Sequence, residues 1–221
     1  MLEGLNDQQR DAVLASGNIL LTACPGSGKT RVLAHKVAYE LDKIKGSKKT
    51  IVALTFTNRA AEEIKKRLIK MDFNPDKLWA GTIHSFCLEW ILRPYAGYIA
   101  EIKNGFVIAD EYKSEELLST LKEDYGFEWW ERITTRRNTD GSFAEPNLKF
   151  HDLLEEYHES LTSEKLIDFD LMLYYAYKVL DEYPKIGKTL NNLFHLIAVD
   201  EYQDTQELQY AILSKIINVN R

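Results

Sequence analysis

Two short stretches of the chain hold side chains whose types and spacing can do chemistry. "ACPGSGKT", Ala23 to Thr30, follows the phosphate-loop pattern G-x-x-x-x-G-K-[ST] with alanine at the first position. In such a loop the backbone amides cradle phosphate oxygens, Lys29 reaches the β- and γ-phosphates, and the Thr30 hydroxyl binds Mg²⁺. Further on, the apolar run "LIAV" ends in Asp200 and Glu201. A strand there would place Asp200 where a carboxylate can hold Mg²⁺, with Glu201 beside it to orient or deprotonate a water attacking a γ-phosphate. A carboxylate pair after an apolar strand is a weak signal alone. Together with a phosphate loop it is strong, and a base beside a metal ligand favours hydrolysis over transfer to a second substrate.

These groups need elements to position them. "NILLTA" (18–23) reads as a strand entering the glycine loop, and Leu33, Val37 and Leu41 then recur at helical spacing. "TIVALTFT" (50–57) is a second apolar strand, followed by a helix with Ala60, Ile64 and Leu68 on one face; "LWAGTI" (78–83) is a third. Unbroken apolar strands alternating with helices indicate a parallel sheet buried on both faces. From 94 to 185 the pattern turns mostly helical, bracketed by Pro94 and Pro184 as helix stops. A strand (195–201) and an amphipathic helix from Thr205 close the sequence. The expected organisation is an α/β phosphate-loop NTPase lobe in residues 1–93, a helical insertion in 94–185, and the rest of the lobe in 186–221. The aromatic groups "YGFEWW" (125–130) and "YYAY" (174–177) are expected to form the core of the insertion.

The chain carries 28 basic and 34 acidic residues, a net charge of -6. Nucleic acid binding cannot rest on bulk charge and needs a local groove, for which "NRAAEEIKKRLIK" (58–70) and "RITTRRN" (132–138) are candidates. The plainer reading of each is a solvated helix face or loop. Cys24 and Cys87 are the two cysteines, which suits a reduced, cytoplasmic chain without a disulfide scaffold. No apolar run approaches the ~20 residues of a membrane span, and the start lacks signal-peptide character.

Five stretches in order now carry a resemblance: "LNDQQRDAV" (5–13), "ACPGSGKTR", "LTFTNRAAEEIKKR" with "GTIHSFC", and "VDEYQDTQ". They resemble the Q motif and motifs I, Ia with Ib, and II of the UvrD/Rep-type superfamily 1 DNA helicases; "IDFDLML" (167–173) echoes a further family signature. The resemblance implies a RecA-like sheet with helices on both faces, using ATP and Mg²⁺. Gln9 would read the adenine edge, residues Ala23, Cys24, Pro25, Gly26, Ser27, Gly28, Lys29, Thr30 and Arg31 would surround the nucleotide, and Thr30 with Asp200 would hold the metal. Lys29 and Glu201 would be catalytic. Single-stranded DNA would lie on Phe56, Thr57, Asn58, Thr82, His84 and Phe86, with phenylalanine stacking bases and hydroxyl, amide and N–H groups holding phosphates.

Each role has a structural rival. Asn6 can cap a helix with Gln9 at its third position, Asn58 can be an N-cap, Phe86 can be core, and Asp204 with Glu207 can form a capping box. Arg31 can be a surface arginine. His84 has no second ligand at metal-binding spacing.

In that family the motif II strand is followed by a strand with a glutamine sensor and by a second RecA-like lobe that supplies arginines. Neither follows Arg221, so this chain is expected to bind nucleotide and turn it over slowly. The implied function is the first motor lobe of a 3′→5′ DNA helicase of repair or replication, partnered by single-stranded DNA, single/double-strand junctions and its own second lobe. It would be cytoplasmic, and nucleoid-associated when engaged. A helicase–nuclease motor and a non-catalytic nucleotide-gated interaction module are the alternatives.

Overall fold

The computed structural model describes residues 2–24 and 26–217. In chain order it begins with helices α1 (Asp7–Leu14) and α2 (Lys29–Lys43), strand β1 (Thr50–Leu54), helix α3 (Asn58–Lys70) and strand β2 (Leu78–Gly81). There follow α4 (Ile83–Phe86), a π-helical stretch Cys87–Leu92, α5 (Arg93–Tyr95), β3 (Val107–Ile108), α6 (Glu111–Asp124) and α7 (His151–Ser163). The last elements are β4 (Leu166–Ile167), α8 (Phe169–Glu182), α9 (Pro184–Leu193), β5 (Phe194–Val199) and α10 (Glu207–Ile216).

Two compact units result. The first comprises Met1–Ile83 and Lys188–Thr205, the second His84–Gly187 and Gln206–Arg221. The helix after β2 and the final helix α10 therefore group with the second unit, a division distinct from the one drawn from motif order.

The first unit is built on a parallel sheet of order β2-β1-β5. Central β1, "TIVAL", is buried at four of its five positions, which explains its apolar character on both faces. Val37, Ala38 and Leu41 of α2 share a core with Ile51 and Ala53 of β1, Ile64 and Leu68 of α3, and Leu78 of β2. The outer face of α3 pairs Lys65 with Glu62 and Arg67 with Glu63. Arg59, Lys66 and Lys70 of the same helix are exposed.

One expected strand is missing. Residues 18–23 belong to no strand, and Ile19, Leu20 and Leu21 are 43%, 74% and 39% exposed. An apolar run expresses a tendency to be buried, but a strand exists only with a ladder partner. None of the three described strands of this sheet pairs with it.

In the second unit β3 and β4 form a short parallel pair, and Leu153, Leu154, Tyr157 and Leu161 of α7 are buried with Leu173, Ala176 and Val179 of α8. A Cβ on Gly187 would collide with the Lys215 carbonyl, so glycine is required where α9 passes the end of α10. Pro184 stands where α8 stops, two residues past Glu182, and it also opens α9, at the position where a missing N–H matters least. Other expectations fail here for local reasons. Pro94 lies inside α5, directly after the π-helical stretch. Tyr175 is buried as expected, but Trp129 and Trp130 are 80% and 60% exposed and stack edge-on against each other. Arg137 of the second basic stretch is structural: it donates to His158 Nδ1 and the Gly141 carbonyl and lies over the Phe143 ring.

Candidate functional site: a glycine loop facing two carboxylates

The glycine loop makes a tight turn, Ser27 N–H donating to the Cys24 carbonyl at 3.2 Å. Gly26 and Gly28 have φ of 79° and 90°, a left-handed backbone open to glycine and strained for residues with a Cβ. Gly28 is the N-cap of α2 and brings no side-chain acceptor, so the first-turn amides of α2 keep their capacity to bind an anion. Lys29 folds back, its ammonium donating to the Ala23 carbonyl at 3.2 Å. Pro25 lies outside the described residues.

Opposite the loop, Asp200 directly follows the last residue of β5, and its N–H donates to the Leu54 carbonyl at 2.8 Å, extending the contact with β1 by one residue. The carboxylate is hydrogen-bonded by the Thr30 side chain and feels the charge of Lys29. Burial and the neighbouring Glu201 carboxylate nevertheless push the Asp200 carboxyl above its ordinary range. A divalent cation at this point would relieve that charge crowding. Among the described residues no three His, Cys, Asp or Glu side chains gather into a site that could hold a metal alone. One hydroxyl and one carboxylate beside a phosphate cradle are what Mg²⁺ requires when phosphate and water complete its shell.

Glu201 follows in a left-handed backbone, φ 51°, uncommon for a residue with a Cβ. Its N–H donates to Asp200 Oδ1 at 3.2 Å, and its Oε2 accepts from Gln203 Nε2 at 2.6 Å. Sequence reasoning assigned Gln203 no role; its signal was its place two residues beyond Glu201, meaningful only once the 3₁₀ turn Tyr202–Asp204 is known. The capping box of α10 is not Asp204 with Glu207. The helix starts at Glu207, with Gln206 as N-cap and Gln209 Oε1 accepting from its N–H at 3.2 Å. The turn over 202–204 moves the cap two residues on.

Gln9 realises the structural reading in full. It exchanges hydrogen bonds with Asn6, 2.8 and 3.1 Å, as a capping box, and its amide nitrogen also donates to the Ser27 carbonyl of the loop at 3.2 Å. The Q-motif segment is thereby tied to the glycine loop. Arg31 is exposed on α2, close enough to Gly4 that a Cβ there would stand 2.7 Å from its guanidinium.

The expected DNA residues fall in two groups. Phe56, Thr57, Asn58 and Thr82 belong to the first unit, His84 and Phe86 to the second. Phe56 is 73% exposed. Thr57, not Asn58, is the N-cap of α3, its Oγ1 accepting from Ala60 N–H at 3.2 Å; Asn58 is the first helical residue. Phe86 is 0% exposed and cannot offer a ring face to a base in this structure, so the core reading of Phe86 prevails. The aromatic that does stand beside His84 is Phe169, edge-on at 5.4 Å and 47% exposed. Burial lowers the His84 pKa, against the opposing charge of Asp170.

A parallel sheet that hands an aspartate to the threonine of a glycine loop defines a RecA-like phosphate-loop lobe. The chain belongs to the UvrD/REP helicase N-terminal domain family, which it matches over residues 5–221. It is 33% identical over 239 residues to the ATP-dependent DNA helicase UvrD1 of Mycobacterium leprae, covering 98% of this chain and 31% of that protein. It is 31% identical to the ATP-dependent DNA helicase PcrA of Staphylococcus epidermidis, covering 99% and 32% respectively. The PcrA of Staphylococcus aureus is also 31% identical, covering 96% and 31%. The chain thus spans about a third of the length of the curated relatives it matches. Among the described residues no helix is long and apolar enough to cross a membrane.

Proposed function

We propose that this chain is the first motor lobe of an ATP-dependent DNA helicase, with its lobe divided by an insertion at 94–185. The observation that carries the reading is the meeting of Lys29, Thr30 and Asp200 at the mouth of a glycine loop. In it, Ala23 to Arg31 surround the phosphates of ATP. Lys29 moves from the Ala23 carbonyl to the β/γ-phosphates, and Gln9 has an amide with which to meet the adenine edge. Thr30 and Asp200 hold Mg²⁺, which when bound screens the phosphate charge. Glu201 accepts a proton from the water that attacks the γ-phosphorus as the bond to the β-phosphate oxygen breaks.

Phe56 is the stacking platform for single-stranded DNA, and Thr57, Asn58, Thr82 and His84 hold its phosphates or sugars. This gives an acidic chain a DNA site without bulk positive charge. Coupling to 3′→5′ unwinding requires a second lobe, whose arginine finger would be worth ~10³–10⁵ in kcat. A reduced, cytoplasmic setting agrees with an exposed free Cys24 and a buried free Cys87.

The test is calorimetric titration of Mg·ATP into wild type and Lys29→Ala, with folding checked by circular dichroism. Affinity should fall about a hundredfold or more, and unchanged affinity would defeat the phosphate-loop assignment. In the complete enzyme, Glu201→Gln should bind ATP normally and not turn it over.

A further inference from the structure

We propose that Gln203 is a positioning residue for Glu201, holding its carboxylate ready for the attacking water; this rests on the reading of Glu201 as the base. Glu201 is exposed, and a long exposed carboxylate side chain otherwise samples several rotamers. The Gln203 amide removes that freedom at one oxygen, donating to Oε2 at 2.6 Å and leaving Oε1 to accept from water. The tether is short and closed on both sides: Asp204 N–H donates to the Glu201 carbonyl at 3.0 Å and Thr205 N–H to the Tyr202 carbonyl at 3.1 Å.

The orientation of the amide is dictated by its surroundings. Its nitrogen faces Glu201 Oε2 and, at 3.4 Å, Asp204 Oδ2. A flipped amide would point its carbonyl oxygen at two acceptors, so the donor end must face them. The choice of an amide is also chemical. A lysine or arginine would bind the carboxylate as an ion pair and compete for the lone pairs that must take the proton. A neutral donor orients it without that competition. Asp204 Oδ2, at 3.4 Å, is the second acceptor that keeps the amide nitrogen on this side.

The experiment is steady-state ATP turnover of the complete enzyme with saturating single-stranded DNA, for wild type, Gln203→Met, Gln203→Glu, Glu201→Gln and the double variant Glu201→Gln/Gln203→Met. Methionine keeps the length and removes the donor; glutamate replaces the donor with charge. Both single Gln203 variants should lose about ten- to a hundredfold in kcat with KM for ATP within about twofold, the loss typical of a residue that orients a reacting group. The double variant should be no slower than Glu201→Gln alone. Normal kcat in Gln203→Met overturns the proposal, and so does a loss that adds to that of Glu201→Gln. Normal turnover in Glu201→Gln overturns instead the assignment of the base. That result is distinguishable, because it does not depend on any Gln203 variant.

Discussion

Asp168 and Asp200 are two carboxylates withdrawn from water, one in each compact unit, Asp168 buried and Asp200 half-buried, and both have pKa values raised by burial. Their partners differ in kind. Asp168 caps α8 by accepting from Leu171 N–H at 2.7 Å, and its other oxygen accepts from the Tyr157 hydroxyl at 2.8 Å. Its acceptors are used by neutral donors that also belong to the core. Asp200 instead faces a hydroxyl, an ammonium and a second carboxylate. A perturbed carboxylate is therefore not in itself a sign of chemistry. Each has a like charge nearby, Asp170 for Asp168 and Glu201 for Asp200, so the remaining partners decide. Saturated by neutral core donors a carboxylate is structure, and facing a hydroxyl and an ammonium beside a phosphate cradle it is a site.

The comparison can be broken in four places. The largest effect is expected for Asp200→Asn, which should abolish the Mg²⁺-dependent part of ATP affinity, about a hundredfold. Its melting temperature should hold or rise, because the folded state disfavours the Asp200 charge at neutral pH. A clear fall in melting temperature would move Asp200 into the structural class. Next, Asp168→Ala should lower unfolding free energy by roughly 1–3 kcal/mol through the lost cap and the weakened Tyr157 contact, with ATP affinity unchanged. Denaturant titration and calorimetry of that variant decide between the classes directly.

A smaller effect, about tenfold in single-strand affinity, is expected for Phe56→Ala with an unchanged salt slope, since stacking releases no counterions. Fluorescence anisotropy at several salt concentrations checks it, and a reduced slope would mean that an electrostatic contact had been lost. The smallest concerns Glu40, a third carboxylate. Burial raises its pKa, but hydrogen bonds from Lys36, Lys43 and His195 outweigh this and bring it from 4.5 down to about 2. A lowered folded-state pKa stabilises above the ordinary value, and that stability is lost as pH falls from about 4.5 to about 2. Glu40→Gln should be less stable by roughly 1–2 kcal/mol at pH 7 and show a flatter pH dependence of melting across that window.

The sites that sequence reasoning resolved were those whose chemistry is local. The glycine loop, the α2 that follows it, β1, β2 and β5, and the pairing of Asn6 with Gln9 all announce themselves within a few residues. What it missed depends on partners far along the chain or on the exact residue at which a helix begins. Ile19 to Leu21 have the composition of a strand, but no paired neighbour supplies the ladder. Phe86 and Trp129 are both aromatic residues in motif-like stretches, and only packing tells that one is core and the other solvent-facing. The shifts of cap from Asn58 to Thr57 and from Asp204 to Gln206 come from turns that sequence periodicity does not register.

The strand order β2-β1-β5 also dictates a timetable. β1 and β2 can pair once Gly81 has been synthesised, but β5 ends at Val199. At ~5–20 residues per second, roughly 6–24 s of translation separates the two events. Throughout that interval the central strand presents a bare apolar edge, the kind of surface on which nascent chains associate. Completion of the sheet and delivery of Asp200 to the glycine loop are then one event, since the same strand does both. A ribosome stalled anywhere between would hold a lobe with its phosphate cradle made and its carboxylates still unmade.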